Sequence, residues 1–149
     1  MGFKERTGGC VINDRFENIR VLVVDDYEKM RRRLCAILKR LDIRVTEANN
    51  GVEALKVLGS ERFDAVFTDI VMPEMDGFEL CEEIRKSSTL QDMPIVVIST
   101  HHDSNYIMKA LRHGADDYIP KPVEAAIVKK ALNRILTPTI ARAEHGREA

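Results

Sequence analysis

The sequence is short of cysteine, of net charge and of long apolar runs. Its 149 residues contain three cysteines, Cys10, Cys35 and Cys81, with no Cys-x-x-Cys spacing. This number argues against a disulfide framework and predicts reduced thiols in a cytoplasmic protein. A formal net charge of −1 provides no basic surface for direct nucleic-acid binding and little attraction to an anionic membrane. No apolar run suits a signal peptide or a transmembrane helix.

What the sequence does contain is a regular alternation of short apolar runs with segments of helical periodicity. A hydrophobic content of 44% and a charged content of 32% fit one globular domain. Five strands alternating with five helices predict an α/β fold, a doubly wound (βα)5 domain with a five-stranded parallel sheet and helices on both faces. The strands are expected at residues 19–25, 44–48, 65–69, 94–99 and 117–120.

The helices follow from apolar spacing and from end signals. They are expected at 27–41, from Asn50 to about Leu58, through Phe78 to Ile84, from Asp103 or Ser104 to just before Gly114, and at 123–136. In the first helix, Arg31 to Arg33 are expected on the solvent-exposed face. Pro138 is expected to end the last helix. The domain is therefore predicted at residues 19–136, between a flexible leader at 1–18 and a C-terminal tail at 137–149.

Four of the predicted strands lead into side chains suited to phosphate or metal chemistry. These are Asp25 and Asp26 after the first strand, Asp69 at the end of the third, Ser99 at the end of the fourth and Lys121 after the fifth. In an open parallel sheet the ligand crevice lies at the carboxyl ends of the strands, so these residues are expected to converge.

Three carboxylates this close repel one another, by roughly 3 kcal/mol for a pair about 5 Å apart at an effective dielectric of 20. Either one carboxyl group takes a proton, or a hard divalent cation binds. Mg²⁺ suits the second solution because it accepts one or two carboxylates and completes its coordination with water and a phosphoryl oxygen. That combination indicates phosphoryl transfer, in which a carboxylate can act as nucleophile, Lys121 as a fixed cation and the Ser99 hydroxyl as a hydrogen-bond donor.

Several separate motifs resemble the receiver domain of bacterial two-component response regulators, with a likeness to the single-domain chemotaxis regulator. The resemblance covers about residues 19–136 and implies the flavodoxin-like strand order 2-1-3-4-5. It rests on Asp25-Asp26, the stretch from Asp69 through Met72-Pro73 to Asp76-Gly77, Pro94 through Ser99, Gly114 to Tyr118, and Lys121-Pro122.

By matching position, the resemblance implies a role for each residue. Asp69 is expected to be the phosphoacceptor, and Mg²⁺, for which Mn²⁺ can substitute, is expected to bind the carboxylates of Asp25, Asp26 and Asp69 and the backbone carbonyl of Val71. Lys121 would contact the phosphoryl group, and its peptide bond to Pro122 is expected to be cis.

The resemblance also implies a switch. Ser99 and Tyr118 are expected to move inward after phosphorylation and to remodel the face formed by helix 4, strand 5 and helix 5. Thr100 departs from the small residue usual at its position. Together with Val71 and His101, it is expected to alter the lifetime of the phosphorylated state.

The predicted function is that of a signalling module rather than an enzyme that turns over an external substrate. A histidine kinase or a histidine phosphotransfer protein would donate the phosphoryl group. A downstream protein, or a second copy of the chain, would bind the helix 4, strand 5 and helix 5 face, without direct contact to nucleic acid or membrane.

A phosphatase of the haloacid dehalogenase type would need a second Asp at position 71, where Val71 stands. Two alternatives remain, an interaction module that works without phosphorylation and a receiver domain cut from a larger regulator or hybrid kinase.

Overall fold

The computed structural model describes Phe16, residues 18–101 and residues 103–145. Most of the predicted leader at 1–18 and the last four residues of the predicted tail lie outside the described residues. Of the N-terminal part, Phe16 is fully buried in the core, and its carbonyl accepts a hydrogen bond from the Ile19 amide, 3.1 Å away.

The described residues form one parallel sheet with the strand order β2-β1-β3-β4-β5, which confirms the predicted topology. β1, β3 and β4 occupy the centre and are almost entirely buried, as expected for apolar strands covered on both faces. The edge strand β2 carries Arg44, Thr46 and Glu47, which suits its more exposed position. The strands are β1 (Arg20–Val24), β2 (Arg44–Ala48), β3 (Ala65–Asp69), β4 (Ile95–Ser99) and β5 (Asp117–Pro120).

Five helices cover the sheet within the described part of the chain. Successive strand residues point to opposite faces; Val21 and Val23 therefore pack with α1 and α5, whereas Leu22 and Val24 pack with α2, α3 and α4. Both faces are thus covered, as predicted. The helices are α1 (Glu28–Arg40), α2 (Gly51–Ser60), α3 (Gly77–Lys86), α4 (Ser104–Arg112) and α5 (Ala125–His145).

Side-chain caps set the beginning of three helices. The Asn50 side chain accepts a hydrogen bond from the Glu53 amide at 2.9 Å, which confirms the predicted start of α2. Asp76 and Glu79 form a reciprocal capping box at α3. Of the two candidates for α4, Asp103 is the N-cap. Each cap satisfies amide groups that the first helical turn leaves unpaired.

The expected end of the last helix at Pro138 is wrong, because α5 continues through this residue to His145. A proline inside a helix removes one backbone hydrogen-bond donor, but the residues of the other turns keep their N–H donors. The residues after it, Thr-Ile-Ala-Arg-Ala-Glu, include several good helix formers and no glycine. The helix of α2 likewise passes through Gly59 to Ser60, beyond the predicted end near Leu58.

Candidate functional site

Three carboxylates converge at the carboxyl end of the sheet. Asp25 and Asp26 follow β1, and Asp69 ends the neighbouring β3. One carboxylate oxygen from each lies within 4.8 Å of the other two. Asp25 and Asp69 are only 6% and 9% exposed, while Asp26 lies in solvent. The predicted convergence is therefore present, and a set of oxygen ligands at this spacing suits a hard divalent cation.

Lys121 reaches into the same cluster from the loop after β5. Its Nζ atom lies 3.2 Å from Asp25 Oδ2 and 3.3 Å from Asp69 Oδ2, and its side chain is only 10% exposed. The Lys121–Pro122 peptide bond is cis, as expected. The Lys121 amide also donates to the carbonyl of Ser99 at 2.9 Å, which ties the loop to β4. The ammonium thus bridges two of the three carboxylates.

Burial, as the larger cause, and the negative charge of Asp25 together raise the pKa of Asp69 from 3.8 to about 6. The Lys121 ammonium and a hydrogen bond from the Ile70 amide, 2.8 Å from Asp69 Oδ1, oppose this rise. The Thr68 hydroxyl donates to the backbone carbonyl of Asp69 at 2.8 Å. Asp69 is therefore held by three contacts, and its carboxylate is mostly ionised at neutral pH.

The loop between β3 and α3 is closed tightly beside Asp69. The Gly77 amide donates to the Ile70 carbonyl at 2.7 Å. A Cβ atom at Gly77 would lie 2.3 Å from the Asp69 carbonyl oxygen, so any other residue would collide with the backbone. Val71 lies in this loop with its side chain 61% exposed. The sequence motif Asp76-Gly77 predicted the loop but not this contact.

The proposed switch residues Ser99 and Tyr118 meet at the backbone of His101. Ser99 is 2% exposed, and its hydroxyl accepts a hydrogen bond from the His101 amide at 3.0 Å. The Tyr118 hydroxyl donates to the His101 carbonyl. The His101 ring lies 4.3 Å from the Tyr106 ring of α4, measured between centroids. Thr100 is exposed between Ser99 and His101. Residues 99–101 therefore connect α4 and β5 to the loop of Lys121, whose amide donates to the Ser99 carbonyl.

Arg31 does not lie on the solvent-exposed face of α1, where helical spacing predicted it. Its side chain is only 12% exposed and pairs with Glu47 of β2 instead of facing solvent. It also donates to the Asp25 carbonyl, beside the acidic cluster. Helical spacing could not reveal this, because the partner of Arg31 is on a different strand.

Comparison with known proteins assigns the family. The family model described as "Response regulator receiver domain" matches residues 21–133. This chain belongs to the receiver domain family. A relative in rice, two-component response regulator ORR5 of Oryza sativa subsp. japonica, is 38% identical over 117 residues, covering 78% of this chain and 87% of the relative.

Solved receiver structures share the architecture. The chemotaxis protein CheY4 of Vibrio cholerae superposes with a TM-score of 0.76 at 30% identity, covering 80% of this chain and 99% of that one. The receiver domain of sensor histidine kinase PA1611 from Pseudomonas aeruginosa gives a TM-score of 0.75 at 27% identity, covering 80% and 98%. That structure has a magnesium ion coordinated in its active-site cleft.

Family membership establishes the general function. Receiver domains of two-component response regulators are phosphorylated on an aspartate, and a histidine kinase or phosphotransfer protein is their partner. Magnesium binding is typical of the family and agrees with the acidic cluster found here. Among the described residues, no helix is both long enough and apolar enough to cross a membrane.

Proposed function

We propose that Asp69 accepts the phosphoryl group, from a phosphohistidine donor, in a magnesium-dependent transfer that the receiver domain itself catalyses. The observation that carries this proposal is the position of Asp69 between Asp25, Asp26 and Lys121. Among the three carboxylates, Asp69 combines burial with a direct contact to the lysine and a position at the end of the central strand β3. It is also ionised at neutral pH, as a nucleophile must be.

Each surrounding group has a defined task. The carboxylates of Asp25, Asp26 and Asp69 and the backbone carbonyl of Val71 would hold Mg²⁺, or Mn²⁺ in its place. The bound ion supplies charge neutralisation for the transferring oxygens. An Asp69 carboxylate oxygen would attack phosphorus as the phosphorus–nitrogen bond to the donor histidine breaks. The departing nitrogen keeps the electron pair of that bond, and the imidazole leaves neutral because its other nitrogen carries a proton taken up from solvent. Lys121 and the Ser99 hydroxyl then bind oxygens of the acyl phosphate.

The signal would leave the molecule through the face of α4, β5 and α5. A groove of about 430 Å³ on this face is lined by Ile107, Leu111, Tyr118 and Pro120 together with two aspartates. Because Tyr118 both lines this groove and binds the His101 carbonyl, a shift of Ser99 and His101 toward the phosphoryl group would change the groove. A downstream protein or a second copy of the chain would bind there, without direct nucleic-acid or membrane contact.

The transfer modifies the receiver itself and turns over no external substrate. Hydrolysis of the acyl phosphate would return the domain to its starting state. The reduced-thiol sequence pattern and the kinase partner favour action in the cytoplasm. The predicted boundaries, a domain at 19–136 with a leader and a tail, remain part of this proposal.

Incubation with Mg²⁺ and acetyl phosphate or phosphoramidate, followed by intact mass spectrometry, tests the proposal. We expect a mass gain of one phosphoryl group in the native chain, none in Asp69→Asn, and none in the native chain when EDTA removes the metal. No adduct on the native chain, under conditions that modify a known receiver domain, would support the interaction module that works without phosphorylation.

A further inference from the structure

Arg31 links the acidic loop to the edge of the sheet. Its Nη1 atom donates to the backbone carbonyl of Asp25 at 2.8 Å, and its Nε atom donates to Glu47 Oε1 at 2.7 Å. Arg31 lies in the first half of α1, Asp25 directly after β1, and Glu47 on β2 opposite Val23 of β1. One guanidinium group therefore fixes three elements relative to one another.

The same loop is held at two points besides the contact of Lys121 with Asp25 Oδ2. The Asp25 amide donates to the Ala48 carbonyl at 3.1 Å, and the Tyr27 amide donates to Asp25 Oδ1 at 2.9 Å. The first contact restrains the amide side of Asp25, and the second orients its side chain. Arg31 restrains the remaining carbonyl side, which leads directly into the peptide bond to Asp26. The Arg31 contact therefore restrains the backbone that carries both carboxylates, while Tyr27 and Lys121 also orient the carboxylate of Asp25.

The neighbouring Arg32 shows what an ordinary arginine of this helix does. Its side chain is 72% exposed and pairs with Glu28 of the same helix at 2.8 Å. An exposed pair of this kind contributes little to stability. Arg31, in contrast, is 12% exposed and uses the fixed geometry of its guanidinium to bind two acceptors at once. The two side chains provide a matched comparison at adjacent positions.

We propose that Arg31, held by Glu47, is a positioning residue that presets Asp25 and Asp26 for the divalent cation. The inference rests on the proposed function, which makes these two aspartates metal ligands. Groups that orient metal ligands by hydrogen bonding affect metal affinity by about 10- to 100-fold. Arg31 also carries a positive charge close to the site. This charge opposes Mg²⁺ binding, whereas the positioning contact favours it. Loss of the charge alone would strengthen Mg²⁺ binding, whereas loss of the positioning contact would weaken it.

Isothermal titration calorimetry with Mg²⁺ alone distinguishes these effects in the 149-residue chain. We expect Arg31→Met to weaken Mg²⁺ binding by about 10-fold, although it removes a cation. We expect Arg31→Lys to weaken it as well, because lysine keeps the charge but lacks the two-pronged geometry. Arg32→Met is the matched control and should bind Mg²⁺ as the native chain does. Circular dichroism on each variant ensures that only folded protein is compared.

Glu47→Gln tests whether Arg31 affects Mg²⁺ binding through its contact with Glu47. It should weaken Mg²⁺ binding less than Arg31→Met, and the double variant should bind no more weakly than Arg31→Met alone, because both changes remove one connection. Equal or tighter binding by Arg31→Met, or native binding by Arg31→Lys, would overturn the positioning role while leaving the proposed function intact. A native chain that binds no Mg²⁺ would overturn both.

Discussion

At the scale of single residues, the site is governed by the balance of charge around Asp69. The sequence predicted which side chains meet and that their repulsion must be relieved by a proton or a cation. It could not predict that the Asp69 pKa would be raised to about 6, since this shift depends on burial and on the distance to Asp25 and Lys121. The protonated carboxyl group and the bound cation are therefore two states of the same site. The pH and the presence of metal determine which state the site adopts.

Without metal, the charge on Asp69 should destabilise the fold at neutral pH. Its pKa is about 6 in the folded chain against an ordinary value of 3.8, so between these values the folded chain holds a proton that the unfolded chain has released. The free energy of unfolding therefore falls as pH rises through this window, by about 3 kcal/mol at most. In EDTA, Asp69→Asn should raise the free energy of unfolding at pH 8.

Urea denaturation of both proteins at several pH values measures this difference. The gain from Asp69→Asn should shrink as the pH is lowered from about 6 and should be nearly absent close to pH 4. A gain that does not depend on pH, or a loss at pH 8, would show that the Asp69 charge is not the cause.

Thr100 and His101 should affect how long the acyl phosphate survives, because both follow Ser99 beside the acidic cluster. The Thr100 side chain is exposed next to Ser99, and the His101 backbone binds both Ser99 and Tyr118. Thr100→Ala and His101→Ala are each expected to change the rate of dephosphorylation, measured by loss of the mass adduct after the donor is removed. Val71→Ala tests the third position. Native rates in all three variants would contradict the prediction.

At the scale of secondary-structure elements, the site depends on how loops leave the strands. The sequence predicted the strand ends closely because the apolar runs stop at polar residues of the site, as at Asp69 and Ser99. Helix ends were predicted well where a side chain caps the helix, as at Asn50 and Asp103. The end of α4 before Gly114 was also predicted correctly, since this glycine adopts a positive φ of 113°. The end at Pro138 was predicted wrongly, because neighbouring turns retain enough hydrogen bonds to continue α5.

Gly77→Ala should disturb the loop that carries Asp69. The new Cβ atom would lie 2.3 Å from the Asp69 carbonyl oxygen and 2.8 Å from the Ile70 Cα atom, and backbone atoms cannot rotate away. We expect a loss of about 1–3 kcal/mol in the free energy of unfolding, together with weaker Mg²⁺ binding.

Gly59→Ala is the matched control within α2. No atom lies within 4 Å of a Cβ placed there, so alanine should stabilise the helix by about 0.5–1 kcal/mol. Chemical denaturation and Mg²⁺ titration of both variants provide the comparison. If Gly77→Ala matched the stability of the native chain, the close approach to Asp69 would not be a constraint on the loop.

At the scale of the whole molecule, the fold was the most predictable feature. Five apolar runs separated by helical segments allow few arrangements once right-handed crossovers are required, and the strand order followed from the family resemblance. Contacts between distant parts of the chain were the least predictable. Arg31 with Glu47 joins residues that only the complete sheet brings together, and local spacing contains no record of this pair. The contact of Lys121 with Asp25 is the exception, because both residues follow strands whose carboxyl ends meet at one edge of the sheet.

The central claim is that one of three neighbouring carboxylates, Asp69, accepts the phosphoryl group. Reduction of the phosphorylated chain with borohydride converts an acyl phosphate of aspartate to homoserine, and peptide mass spectrometry then locates that residue. We expect homoserine at position 69, dependent on Mg²⁺ and absent when the chain is not phosphorylated. Homoserine at position 25 or 26, with none at 69, would contradict it.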